Sequence, residues 1–140
     1  MSKIFVDTNI LVYALDNQDK KKKRKSRALL LELRSSGLMV ISTQVMQEFF
    51  VVATTKLGLE PLMAKDILRT LENSEVVTVD IDIIRDAIDC SVLNKISFWD
   101  ALIVASAAAA KCAVLWSEDL NHGQLLQGVR VKNPFVEVTP

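Results

Sequence analysis

Four acidic side chains stand where the pattern of the chain predicts one edge of a sheet: Asp7, Glu48, Asp100 and Asp119. Asp7 and Asp119 follow apolar runs that are typical of short buried strands. Glu48 and Asp100 lie near the beginnings of predicted helices. In parallel α/β folds the carboxyl ends of the strands and the helix starts that adjoin them share one edge, where binding sites gather. We therefore expect the four carboxylates to lie close together.

Carboxylates that share a site repel one another unless a cation lies among them. Oxygen ligands of this kind suit Mg²⁺ or Mn²⁺, and the sequence has no grouping of His and Cys residues of the zinc type. A hard ion held by carboxylates can activate water and stabilise charge on a phosphate. The acidic residues therefore predict the hydrolysis of a phosphodiester bond.

Strand-like and helix-like segments alternate along the chain, which predicts the α/β class. We expect strands at residues 4–6, 38–41, 76–79 and 113–116, and a weaker fifth strand at residues 129–131. We expect helices at residues 10–15, 26–34, 43–57 and 98–111, with two others beginning at Pro61 and Asp82. Residues 16–25 are expected to form a polar loop. The predicted architecture is a three-layer α/β/α sandwich around a four- or five-stranded, mostly parallel sheet.

Several residues predict where helices begin and end. Ser42 or Thr43, Asp82 and Ser97 are expected as N-terminal caps, because short polar side chains accept hydrogen bonds from the first turn. Gly37 is expected to end the helix before it, since glycine adopts the left-handed conformation common at helix ends.

Size, charge and cysteine content narrow the class of protein. The chain has 140 residues and a formal net charge of zero, which fits one domain spanning residues 1–140 and argues against binding nucleic acid by overall positive charge. Cys90 and Cys112 are expected to be reduced core residues, as in cytoplasmic proteins. The longest apolar stretch, residues 101–110, is too short to cross a membrane, and no signal segment is predicted.

Four motifs resemble those of PIN-domain ribonucleases, most of all the VapC-type toxins of VapBC toxin–antitoxin pairs. The motifs are F-V-D-T-N at 5–9, S-T-Q-V-M-Q-E-F at 42–49, F-W-D-A-L-I at 98–103 and S-E-D-L at 117–120. Their order and spacing fit the family over nearly the whole chain.

The resemblance implies a PIN-like fold and an endoribonuclease that depends on Mg²⁺ or Mn²⁺. Carried over position by position, it assigns the metal and catalytic roles to Asp7, Glu48, Asp100 and Asp119, and the orientation of these carboxylates to Thr8, Asn9 and Ser117. Toxin-type members form homodimers and are silenced by a cognate antitoxin. Glu118 adjoins Asp119, and whether it also binds metal is left open.

The same acids have ordinary structural interpretations. Asp7 could cap the short helix that follows it, and Asp100 completes a capping box with Ser97. Asp119 could be a turn residue. None of these interpretations predicts that the acids share one edge of the sheet.

Parts of the sequence are also compatible with other functions and other site residues. A phosphatase of the haloacid-dehalogenase type would carry a second Asp where this chain has Asn9. A housekeeping RNA-processing nuclease and an inactive RNA- or protein-binding module are the remaining alternatives. The basic run from Lys20 to Lys25 could contact RNA phosphates, and His122 could act as a general base.

Overall fold

Twelve elements build the fold in the computed structural model, which describes residues 2–136. The strands are β1 Ile4–Val6, β2 Met39–Ser42, β3 Glu75–Val77, β4 Val114–Trp116, β5 Leu125–Leu126 and β6 Val129–Lys132. The helices are α1 Thr8–Tyr13, α2 Lys20–Ser36, α3 Thr43–Thr55, α4 Pro61–Leu71, α5 Ile81–Asn94 and α6 Phe98–Ala109.

The strands form one sheet in the order β3-β2-β1-β4-β6-β5, parallel except for β5. Within residues 2–136 the sheet has six strands, so the prediction of four or five was wrong in number. The strand not predicted, β5, has two residues, which is too short for a sequence pattern. It pairs with β6 through a tight turn at Gln127 and Gly128, which both have positive φ, as the two-residue hairpin turn requires.

The helices pack in two groups that cover the sheet, as the predicted α/β/α sandwich requires. Helix α1 packs against α2 and α3, and α3 packs against α4 and β2. Helix α5 packs along α6, which contacts β2, β4 and β6. The α/β fold class of the sequence prediction is therefore confirmed.

The helix boundaries confirm some of the predicted caps and correct others. Ser42 and Ser97 accept the expected hydrogen bonds, and Gly37 ends α2 with φ of 71°. The predicted loop at residues 16–25 was wrong from Lys20 onward, because Asp19 caps a helix that begins there and lysine is a good helix former. The predicted cap Asp82 was also wrong: it lies in the first turn of α5, and Asp80 accepts the hydrogen bond of the Ile83 N–H.

The core lies on both faces of the central strands. Phe5 and Val6 of β1 and Leu115 of β4 are fully buried, and each such side chain contributes about 1.5–3 kcal/mol to folding. Cys90 and Cys112 are buried and form no disulfide, as predicted. These buried strands end at the edge where Asp7 and the segment after β4 are found.

No single helix in the described residues has the length and apolar composition needed to cross a membrane. Helices Ile81–Asn94 and Phe98–Ala109 meet those criteria only when taken together, and they are bent by 119° relative to each other.

Candidate active site

The ends of β1 and β4 place Asp7 beside Ser117. The two strands pair directly, with Val6 opposite Trp116, and the Asp7 N–H donates to the Trp116 carbonyl over 3.0 Å. One residue further on, the Ser117 hydroxyl donates to Asp7 Oδ2 over 2.7 Å. Both side chains are buried, so the register of the two strands fixes this contact.

Asp7 is a buried carboxyl with a perturbed pKa. The residue is 4% exposed, and its Oδ1 accepts a hydrogen bond of 2.7 Å from the Thr8 N–H. Burial raises the pKa of Asp7 to about 7, the charges of Asp119 and Glu48 add to the rise, and the hydrogen bonds from Ser117 and Thr8 oppose it. The carboxylate form is thus poorly stabilised by the protein alone, and a bound cation would stabilise it.

Thr8 connects Asp7 to the acid on α3. Its hydroxyl donates to Glu48 Oε1 over 2.8 Å, across 40 residues of sequence. Glu48 lies in the second turn of α3, and its neighbour Phe49 is buried in the core. Burial of Phe49 therefore fixes α3 next to Glu48. The hydrogen bond from Thr8 sets the direction of the Glu48 carboxylate.

Asn9 occupies the space between Asp7 and Asp119. Its amide nitrogen lies 3.1 Å from Asp119 Oδ2 and 3.5 Å from Asp7 Oδ2. The Asp119 N–H donates to the Ser117 hydroxyl over 3.1 Å. The turn after β4 and the start of α1 are therefore held together by the same residues that contact the two acids.

Asp100 takes part in the predicted capping arrangement and also lines the cavity of the other acids. Its N–H donates to Ser97 Oγ over 3.1 Å at the start of α6, so the capping arrangement is present. Partial burial is the largest cause of a raised Asp100 pKa, and the charge of Asp119 adds to it while the Ser97 hydrogen bond opposes it. The electrostatic effect of Asp119 places Asp100 at the acidic edge as well.

All four predicted acids line one cavity of about 730 Å³, together with Thr8 and Asn9. Within residues 2–136, however, no three Asp, Glu, His or Cys side chains come close enough to hold one ion between them. Thr8 bonds to Glu48 and Asn9 bonds to Asp119, so part of the oxygen-donor capacity of these two acids is already used within the protein. The oxygen donors still suit a hard divalent ion, which commonly keeps several waters and binds directly to one or two carboxylates. The metal role of these residues stays a prediction.

The carboxylate of Glu118 has different hydrogen-bond partners from that of Asp119. Its carboxylate accepts hydrogen bonds from the Tyr13 hydroxyl at 2.7 Å and from Lys22 Nζ at 2.5 Å. Lys22 Nζ also lies 4.6 Å from the centre of the Tyr13 ring and 5.2 Å from that of Phe135. The hydrogen bond from Lys22 to Glu118 raises the pKa of Lys22. Glu118 is thus engaged by cationic and phenolic partners, which leaves Asp119 as the acid of this turn that faces Asn9.

The two other candidates from the sequence, His122 and the basic run Lys20 to Lys25, do not line the cavity. His122 is exposed, accepts a hydrogen bond of 3.0 Å from the Asn133 N–H and is not among the residues that line the cavity. Of the basic run Lys20 to Lys25, Lys22 reaches the acidic edge, and it does so by pairing with Glu118. The position of His122 outside the cavity gives no support to a general base there.

Sequence reasoning missed one face of α3 that also lines the cavity. Its residues are Gln44, Gln47, Val51, Val52 and Lys56. Gln44 donates from Nε2 to the Trp99 carbonyl over 3.1 Å, and its buried Oε1 has no partner within residues 2–136. The spacing of three or four residues around Glu48 was the signal that could have found this face.

Several proteins of known structure are similar to this chain. No match was found among the curated proteins. Among solved structures, the chain is similar to VapC20 of Mycobacterium tuberculosis, a toxin that cleaves the sarcin–ricin loop (20% identity, 84% of this chain and 92% of that chain covered, TM-score 0.67). It is also similar to a toxin–antitoxin complex from Klebsiella pneumoniae (20% identity, 96% and 98% covered, TM-score 0.72) and to DNA-bound VapBC from Salmonella typhimurium (20% identity, 96% and 99% covered, TM-score 0.67).

These likenesses indicate a shared fold. A family model described as the PIN domain matches residues 4–125, which is most of the sequence. The chain therefore belongs to the PIN domain family.

Proposed function

We propose that the protein is a metal-dependent endoribonuclease that hydrolyses RNA phosphodiester bonds with Mg²⁺ or Mn²⁺. The observation that carries this proposal is the convergence of the four acids on one cavity, with the buried Asp7 among them. PIN domains generally depend on divalent metal, and the oxygen donors here suit a hard ion. Residues 1–140 would form a single nuclease domain.

Two groups of residues have different roles in this proposal: one binds the metal, and the other orients the metal-binding carboxylates. Asp7, Glu48, Asp100 and Asp119 would hold the metal, which when bound supplies an activated water and neutralises charge on the phosphate. Thr8, Asn9 and Ser117 keep three of these carboxylates in fixed directions through the hydrogen bonds described above. Groups that orient metal ligands in this way commonly matter for metal affinity and activity.

The toxin of a type II toxin–antitoxin system is the biological role that we propose. Similar solved structures are toxins or complexes of toxin with antitoxin, which supports a cognate antitoxin as partner. A homodimer and a cytoplasmic location belong to the same proposal. The RNA target is not part of it, because target choice depends on side chains outside the acidic edge.

Cleavage of a generic single-stranded RNA tests the enzymatic proposal. We expect cleavage with Mn²⁺ or Mg²⁺, none in EDTA, and a loss of at least about 100-fold in Asp7→Asn, since even residues that only orient ligands cost 10–100-fold. Asp82→Asn is the matched control, because that acid is exposed on α5. Cleavage that persists in EDTA, or at the parent rate in Asp7→Asn, would overturn the metal mechanism.

Expression in bacteria tests the toxin role separately. We expect growth to stop when the chain is expressed alone. Growth should recover when the proposed antitoxin, a small protein encoded by a neighbouring gene, is expressed with it. A folded, active nuclease that leaves growth unaffected would favour a housekeeping RNA-processing role. A folded protein that binds RNA without cutting it would favour the inactive binding module.

A further inference from the structure

The cavity extends beyond the acids along one face of α3. The α3 residues that line it, followed by the residue that ends the helix, are Gln44, Gln47, Glu48, Val51, Val52 and Lys56. Steps of three and four residues keep side chains on one face of a helix. Glu48 and Lys56 are eight positions apart, which corresponds to about 12 Å along the helix axis. The lining therefore forms a groove with acids at one end and Lys56 at the other.

The charges of this groove are separated along its length. Lys56 is the one basic residue among the described residues that line it, and within residues 2–136 its ammonium has no hydrogen-bond or ion-pair partner. Two of the lining acids are already engaged: Asp16 accepts from the Gln18 N–H at 2.9 Å, and Glu118 pairs with Lys22. The remaining acids are the four of the candidate metal site, and within residues 2–136 no carboxylate forms an ion pair with Lys56, so its ammonium can bind an anion.

The stretch between the two ends is apolar. Val12 of α1 and Val52 of α3 line it, and Val51 beside them is 56% exposed. An apolar surface between a metal site and a cation can contact the sugar and base faces of a strand while its phosphates are held at either end.

On the basis of the proposed ribonuclease function, we propose that Lys56 binds a phosphate of the RNA strand away from the scissile bond. A stacked strand has one phosphate per about 3.4 Å of axis and an extended strand has fewer, so about 12 Å places this phosphate about two to four nucleotides from the scissile one. The groove along α3 is thus a site for single-stranded RNA, and Lys56 positions the strand.

Equilibrium binding of a single-stranded RNA oligonucleotide, with Mn²⁺ and in the Asp7→Asn background that stops cleavage, tests this site. In Lys56→Gln we expect Kd to rise about two- to fivefold, as for one exposed ion pair. The slope of log K against log salt should become shallower by about 0.7, the value for one phosphate contact on a single strand. Lys56→Arg should restore both quantities. Lys65→Gln is the control, because Lys65 is exposed on α4 and does not line the groove.

Neutral phosphates locate the contact. A set of oligonucleotides, each with one methylphosphonate at a different position, should show one position about two to four nucleotides from the cleavage site where neutralisation weakens binding. That position should have no effect in Lys56→Gln, because the partner of the phosphate has been removed. Neutralisation at every other position should have the same effect, large or small, on the parent and on Lys56→Gln.

The inference and the proposed function can fail separately. A parent that cuts no RNA would overturn the ribonuclease proposal. A parent that cuts RNA while Lys56→Gln keeps the same salt slope and the same methylphosphonate profile would overturn the Lys56 site alone. Lys56→Gln that weakens capture by an antitoxin but leaves RNA binding unchanged would also overturn it, and would assign the groove to a protein partner.

Discussion

The free energy of unfolding should depend on pH through Asp7. Folding raises the pKa of this carboxyl from 3.8 to about 7, chiefly by burial. A carboxyl whose pKa is higher in the folded state binds more protons when folded, so the stability that Asp7 contributes is fully present below about pH 4 and is lost as the pH rises to about 7. At about 1.4 kcal/mol per pKa unit, the full loss is about 4 kcal/mol without a divalent ion.

Asp7→Asn removes this titration and keeps the size of the side chain. Its amide oxygen can still accept the hydrogen bond from the Thr8 N–H, and the Ser117 hydroxyl can turn to accept from the amide nitrogen. At pH 5 the Asp7 carboxyl is protonated in the folded parent but mostly ionised in the unfolded chain, so the variant should already be more stable by about 1.5 kcal/mol, apart from any change in its hydrogen bonds. At pH 8 the variant should be more stable than the parent by up to about 4 kcal/mol.

Urea unfolding followed by circular dichroism, in EDTA and between pH 4.5 and 8, measures this difference. Asp82→Asn should follow the parent at every pH, because the Asp82 side chain is 86% exposed. Mn²⁺ added at pH 8 should stabilise the parent more than Asp7→Asn, since only the parent keeps the carboxylate. A difference between Asp7→Asn and the parent that does not change with pH would mean that Asp7 ionises normally, and the reasoning from burial would be refuted.

Two further predictions concern residues that support the acids. Lys22→Met should remove a positive charge near Asp119 and leave Glu118 unpaired, so the Kd for Mn²⁺ should fall about two- to fivefold by calorimetry, with Lys22→Arg close to the parent; equal affinities in all three would contradict an electrostatic effect of Lys22 on the site. Thr8→Val keeps the shape of the side chain and removes the 2.8 Å hydrogen bond to Glu48. It should lower Mn²⁺ affinity or RNA cleavage by about 10–100-fold, whereas an unchanged rate and affinity would show that Glu48 needs no such support.

Local signals in the sequence predicted much of the acidic edge. Apolar runs that stop at Asp7 and just before Ser117 indicated strand ends, and the cap at Ser97 indicated where Asp100 would lie. Each of these signals involves neighbouring residues, so one sequence is enough to read it. The prediction that these acids share an edge required only the parallel sheet, and the cavity lining agrees with that placement.

Contacts between distant segments could not be predicted in the same way. The pair of Lys22 and Glu118 spans 96 residues and depends on the direction in which α2 leaves its cap at Asp19. A run of lysines is equally typical of an exposed loop, so the sequence alone did not place Lys22 on a helix. The short strand β5 was missed for a related reason, because its pairing with β6 supplies its structure.

The register of two strands links the hydrophobic core to the chemistry of the site. Phe5 of β1 and Leu115 of β4 are paired and both fully buried. A shift of one residue would move Phe5 out of its buried position and would place Asp7 opposite Trp116 instead of Ser117. The core therefore opposes any movement that would break the Ser117 contact, even though a buried carboxylate weakens the fold near neutral pH. The sheet holds Asp7 in this unfavourable position, and a metal ion that binds there would recover part of the stability lost.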